Sequence, residues 1–156
     1  MRVVLLRTLW IAVLAITTGC GTVKFKDVSS IPPYSEAVGL TVKSKKEVIL
    51  HGWTEEDFTV KNPVFYSFQL PPGTNNRFVK SRSNIQPGLE IEIVAVEKCV
   101  DCYFNLGPRI KFRVALKNFR TEHNLPVYLE DSFLVEKWGS ENEPTKYNHG
   151  VFEIGS

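Results

Sequence analysis

The feature that most constrains this 156-residue chain is a pair of alternating segments, Leu89–Glu97 and Arg109–Lys117. In the second, Ile110, Phe112, Val114 and Leu116 fall on one side of an extended chain, and Arg109, Lys111, Arg113, Ala115 and Lys117 on the other. In the first, Leu89, Ile91, Ile93 and Ala95 share a side, with Glu90 and Glu92 opposite. Side chains alternate faces along a strand, so a period of two predicts two strands with one buried face each. Paired antiparallel, they bring acids against bases on the solvent face, where each opposite-charge neighbour contributes roughly 0.2–1 kcal/mol. A slip of one residue would turn the charges inward, so the same pattern helps choose the register.

The same period runs through most of the chain beyond Val38. Further strands are expected at Val38–Val42, Glu47–His51, Val64–Leu70, Arg77–Ser81, Val127–Leu129, Phe133–Lys137 and Val151–Ile154. Turn chemistry separates them: Asn62-Pro63, Pro71-Pro72-Gly73, Gln86-Pro87-Gly88, the run Asn105 to Pro108 and the run Gly139 to Asn142. Thr54 to Phe58 has nearly the spacing of a capping box and suits a single helical turn. Many short strands with no long helical period predict an all-β domain over residues 37–156, a small antiparallel barrel or sandwich. The Pro87-Gly88 turn feeding Leu89 to Val96 resembles the turn-and-strand element of bacterial SH3-like barrels. That resemblance implies a small barrel and transfers no ligand.

Ahead of the domain stands a different kind of segment. Residues 1–19 carry Arg2 and Arg7, then an apolar stretch of 8 residues from Leu9 to Ile16, then small residues. This is the three-part pattern of a secretory signal, and it is too short for a bilayer span of about 20 residues. Ile16-Thr17-Thr18-Gly19-Cys20 resembles the lipobox of bacterial lipoproteins, matching at Gly19 and Cys20 and departing at Thr17, where Leu is usual. The resemblance implies that Cys20 receives a diacylglycerol, with a third acyl chain such as palmitate added in most of the family, and becomes the new N-terminus. Two acyl chains at about 0.8 kcal/mol per buried CH₂ give a stable anchor. Gly21 stands where Asp would retain an enterobacterial lipoprotein at the inner membrane, so the resemblance implies an outer-membrane protein facing the periplasm. Residues 20–36 read as a lipidated tether: Lys24, Lys26, Asp27, Ser29, Ser30 and Pro32-Pro33 leave no sustained apolar face. Val23 and Phe25 alternate with polar neighbours and Val28 follows soon after, so a short edge strand can take part of this stretch.

Removing the label also changes the charge. The chain has 19 Lys and Arg against 17 Asp and Glu. Arg2 and Arg7 leave with the signal, so 17 bases face 17 acids in the remaining 137 residues. Nucleic-acid binding draws on a net positive field, and a neutral domain argues against it.

One chemical motif remains in the domain, Cys99-Val100-Asp101-Cys102. In an oxidising compartment the pair is expected to close as a disulfide at the tip of the main hairpin. Thiol exchange is the second reading, and it needs one thiolate stabilised, commonly by a helix N-terminus. A metal is the third, but zinc takes four ligands and the motif supplies two, leaving His51, His123 or His149 to complete the set. No metal or cofactor is expected. Glu55-Glu56-Asp57 has the acids for calcium without the further oxygens. Lys43, Lys45 and Lys46, with Arg77, Lys80 and Arg82, form two basic clusters suited to anionic lipid or a cell-wall polymer, or to edge protection. Phe65, Tyr66, Phe68, Tyr103, Phe104, Trp53 and Trp138 suit either a groove or the core.

The sequence therefore leads to a membrane-anchored envelope lipoprotein with a non-catalytic β-domain that binds a protein or glycan. The alternatives are a thiol-redox or metal-dependent enzyme at Cys99 and Cys102, and a passive structural lipoprotein of an envelope assembly.

Overall fold

The computed structural model describes residues 24–54, 59–102 and 109–155. The signal segment, Cys20, the acidic run Glu55 to Asp57, and Tyr103 and Phe104 lie outside them. Eleven strands follow in order: β1 (Phe25–Asp27), β2 (Thr41–Ser44), β3 (Val48–Trp53), β4 (Phe65–Gln69), β5 (Val79–Ile85), β6 (Glu90–Cys99), β7 (Ile110–Leu116), β8 (Val127–Glu130), β9 (Val135–Lys137), β10 (Lys146–Tyr147) and β11 (Phe152–Ile154). Two 3₁₀ turns, Tyr34–Glu36 and Asp131–Phe133, are the only helical elements among the described residues. The chain is all-β.

The β6–β7 hairpin is the axis of the sheet, paired from Ile91↔Leu116 to Lys98↔Ile110. Its charges meet as the alternation requires: Glu97 lies 3.5 Å from Lys111 and 3.9 Å from Arg113, and Glu92 pairs with Lys117. Inside, Ile91, Ile93, Val96 and Phe112 are fully buried. One irregularity departs from strict alternation. The register shifts between Ile93 and Ala95, leaving Val94 42% exposed in a bulge. Beyond it Val96, not Ala95, opposes the buried Phe112. A bulge inserts one unpaired residue and so changes which parity faces the core.

Eight strands follow the order β11-β2-β6-β7-β8-β4-β3-β5, and β1 adds to β6 to make a nine-stranded sheet. All pairs in it are antiparallel except β4 with β8. Four strands separate β4 from β11, yet the Phe68 and Phe152 rings lie 6.3 Å apart. The sheet must therefore curl back on itself around one core. It does not close: among the described residues no pairing joins β5 to β11, so the barrel expected from the strand pattern is an open, curled sheet. The small β9–β10 ribbon and the two 3₁₀ turns cover one end of the core, where Trp138 meets Tyr34 at 4.9 Å and Phe112 at 5.8 Å.

Phe25 to Glu36, read from sequence as tether, is drawn into this unit. β1 pairs with β6 through Phe25↔Cys99 and Asp27↔Glu97, while β2 pairs further back along the same strand through Thr41↔Glu92. Between them the chain stays bonded to β6: the Val28 N–H donates to the Val96 carbonyl at 2.9 Å, and the Gly39 N–H to that of Ile93 at 2.8 Å. Val28 and Ala37 are buried. The reason is the free edge of β6, which is ten residues long and needs more partners than β2 supplies.

Candidate functional site

At one end of the β6–β7 hairpin, the Cys99 N–H donates to the Arg109 carbonyl at 2.8 Å and the Val100 N–H to the Lys24 carbonyl at 2.9 Å. Cys99 and Cys102 stand at disulfide distance, their Cα atoms 5.9 Å apart. Cys99 ends a strand, a place that offers a thiolate no helix dipole. No group of three His, Cys, Asp or Glu residues is placed to hold a metal ion among the described residues. The three histidines are not gathered there either. His51 lies in β3, His123 in the loop between β7 and β8, and His149 just before β11.

His51 is 0% exposed, and neither ring nitrogen has a hydrogen-bond partner. Its ring sits edge-on to Trp53 at 5.4 Å. Gly73 presses on it from the loop after β4, where a Cβ would stand 2.8 Å from His51 Cε1, and its φ of +69° suits glycine. Burial, and then the Arg82 charge, lower the imidazole pKa from its ordinary value against a smaller opposing effect of the Gln69 side chain.

A cleft lies at the other end of the hairpin. Val114, Leu116, Phe119, Leu125 and Val127 line its apolar part, and Arg120, Thr121, Glu122, His123 and Asn124 its polar part, around about 600 Å³. The loop that forms it is fixed at both ends. Asn118 accepts from the Glu90 N–H and donates to the Gly88 carbonyl, each at 2.9 Å, while at the other end the Pro126 carbonyl accepts from the Tyr66 N–H at 2.9 Å. Phe119 and Leu125 pack against the core and hold the polar stretch between them outward. A cleft of this size, apolar with a few polar groups, has the dimensions of a small-ligand or side-chain site. Neither Arg120 nor Glu122 forms an ion pair among the described residues, and both are exposed.

Part of each basic cluster is held in local contacts. Lys43 lies 3.8 Å from Glu90, Lys45 donates to the His149 carbonyl at 3.2 Å, and Arg82 to that of Pro72 at 2.7 Å. Tyr66 and Phe68 are core residues, as their alternation suggests. Trp53 donates to the Ser67 hydroxyl at 2.7 Å and Trp138 to the Asp131 carboxylate at 3.0 Å. Lys111 is held between the rings of Phe25 and Tyr128, at 3.9 and 3.8 Å. The cleft and this cation between two rings were not anticipated; the signal for the first was Phe119 and Leu125 bracketing a polar run.

Comparison with protein-family models, with curated proteins and with solved structures finds no match for the chain.

Proposed function

We propose that this is a lipid-anchored protein of the bacterial cell envelope, with Cys20 acylated and the β-domain binding an envelope protein or a cell-wall glycan without catalysing a reaction. The observation that carries the binding reading is the fixed cleft between β7 and residues 117–126, with Arg120, Glu122 and His123 at its rim. Hydroxyl-rich glycans and polar loops of proteins both supply groups that such a rim can hydrogen-bond while a ring or an aliphatic side chain fills the apolar part. The anchor reading is supported by Gly19-Cys20 after an apolar run of signal length, and Gly21 points to the outer membrane.

A photo-crosslinking residue at Glu122, with one at Asn84 on the exposed part of β5 as control, tests the site in cells. A discrete adduct from position 122, lost on Arg120→Ala and absent from position 84, is the expected result. Equal adducts from both positions, or none from 122 in cells and none with isolated cell-wall fragments, would remove the cleft from consideration. Intact mass of the native protein tests the anchor: a chain that starts at Cys20 and carries added acyl mass is expected.

A further inference from the structure

If Cys20 is the anchor, the domain begins almost at once. Lys24 is already fixed to the hairpin tip through its carbonyl, which accepts from the Val100 N–H at 2.9 Å, and β1 starts at Phe25. Four residue steps from Cys20 to Lys24 reach at most about 14 Å, against about 50 Å for the whole stretch read as tether. β1 runs antiparallel to β6 with Phe25 opposite Cys99, so the chain arrives from the membrane beside the Cys99–Cys102 tip.

The chemistry of that end fits an anionic surface. Lys26 and Lys98 are directly opposed across β1 and β6, and both are exposed. Like charges placed so are destabilising, and neither lysine forms an ion pair among the described residues. On the other face of the same strands Glu97 is matched by Lys111 and Arg113, so the unmatched pair is particular to one face. Lysine on an edge strand blocks association, which accounts for Lys26; Lys98, on interior strand β6, donates to the Tyr34 hydroxyl at 3.2 Å and lies 5.5 Å from that ring, contacts that hold its charge in place without neutralising it. Lys24 adds an exposed cation beside this pair, Arg109 one on the face of Lys111, and Asp101 an exposed acid, while Val100, next to Cys99, is 49% exposed.

We infer that this end of the β6–β7 hairpin, with Lys24, Lys26, Lys98 and Arg109 around Val100, lies on the membrane as a docking surface for anionic lipid headgroups. The inference rests on acylation at Cys20, which delivers the tip to the surface. Basic residues next to an anionic bilayer are attracted within a Debye length, about 8 Å at physiological salt, and a leash of at most about 14 Å holds them within two such lengths, close enough to reach the surface. Val100 then meets the headgroup layer, and the disulfide-distance pair keeps the tip in one shape.

The full-length protein, reconstituted from membranes into vesicles with brominated lipid, tests this. With Val100→Trp, the added fluorescence is expected to be quenched at least two-fold more on phosphatidylglycerol-containing vesicles than on pure phosphatidylcholine ones. Glu122→Trp is expected to show no quenching beyond the native tryptophans on either. Lys26→Glu with Lys24→Glu, its fold checked by circular dichroism, should bring the Val100→Trp signal down to the phosphatidylcholine level. Equal quenching of the two probes, or of Val100→Trp on the two lipids, would overturn the surface. Intact mass separates the two readings: acyl mass without tip quenching leaves the anchor and removes the surface. Without acyl mass, the anchor fails; tip quenching that persists on anionic vesicles still upholds the surface, and its absence removes both.

Discussion

At the scale of single residues, His51 is the group whose chemistry is least satisfied by its surroundings. A buried ring with both nitrogens unpartnered forfeits the hydrogen bonds it made to water, a cost of roughly 1–3 kcal/mol per polar group. Its pKa in the folded protein is lowered, mainly by burial, so the unfolded chain takes up a proton more readily as pH falls. Above the unfolded value of about 6.5 both states are neutral and the group adds no pH dependence. Below it stability declines, by up to about 1.4 kcal/mol per pH unit, until the lower folded pKa is reached. Urea unfolding of wild type and His51→Leu between pH 5 and 7.5 isolates this contribution. The stability difference is expected to shift in favour of the variant as pH falls, and a constant difference would show that His51 does not titrate on unfolding. Gly73, seated on the same ring, gives a companion test. Gly73→Ala combines a φ of +69° with a Cβ 2.8 Å from His51 Cε1, whereas Gly39→Ala combines a φ of +86° with open space. Both should lose stability, with Gly73→Ala losing more than about 1 kcal/mol and clearly the larger of the two in thermal unfolding.

At the scale of elements, stability resides in the middle of the β6–β7 hairpin, not at its clamped tip. Phe112 is fully buried, opposes Val96 and packs 5.8 Å from the Trp138 ring. Phe112→Ala should cost about 3–5 kcal/mol, and Phe112→Leu markedly less. Replacing Cys99 and Cys102 by Ser should cost no more than about 2 kcal/mol, because a loop of so few residues constrains the unfolded chain little. Denaturant midpoints of the three variants at constant slope would rank them, and a disulfide loss exceeding the Phe112→Ala loss would reverse this view. The hairpin was legible in the sequence because its charges and apolar residues alternate in phase over both strands. The bulge at Val94 was not, since Ile93-Val94-Ala95-Val96 is apolar throughout and carries no mark of where parity changes. β1 was visible only as Phe25 between polar neighbours; its place depends on the unpaired edge of β6, a tertiary fact. The parallel pairing of β4 with β8 is likewise set by the curl of the sheet, which local periodicity does not encode.

At the scale of the whole molecule, the long hairpin separates two ends with different chemistry. Lys98↔Ile110 lies at the tip and Ile91↔Leu116 beside the cleft, so the two are about 20 Å apart along the strands at roughly 3.3 Å per residue. If the tip is held on the bilayer as inferred, the cleft stands at the opposite end of the hairpin from the membrane. On the inferred docking, a neutral mature chain can still act electrostatically: Lys24, Lys26, Lys98 and Arg109, none of them in an ion pair among the described residues, stand at the end where the anchor would enter. Glu122→Cys, at the cleft rim, reads this orientation through a bulky polyethylene-glycol maleimide, since the native cysteines are expected to be acylated or paired. The labelling rate should be the same, within about two-fold, for full-length protein in detergent and on anionic vesicles, because a surface 20 Å beyond the headgroups lies outside their steric and electrostatic reach. Insertion of ten Gly and Ser residues after Gly21 adds a flexible span of roughly 17–19 Å and should leave that rate unchanged. Slow labelling on vesicles that the insertion restores would mean that the short leash presses the cleft, and not the tip, against the membrane.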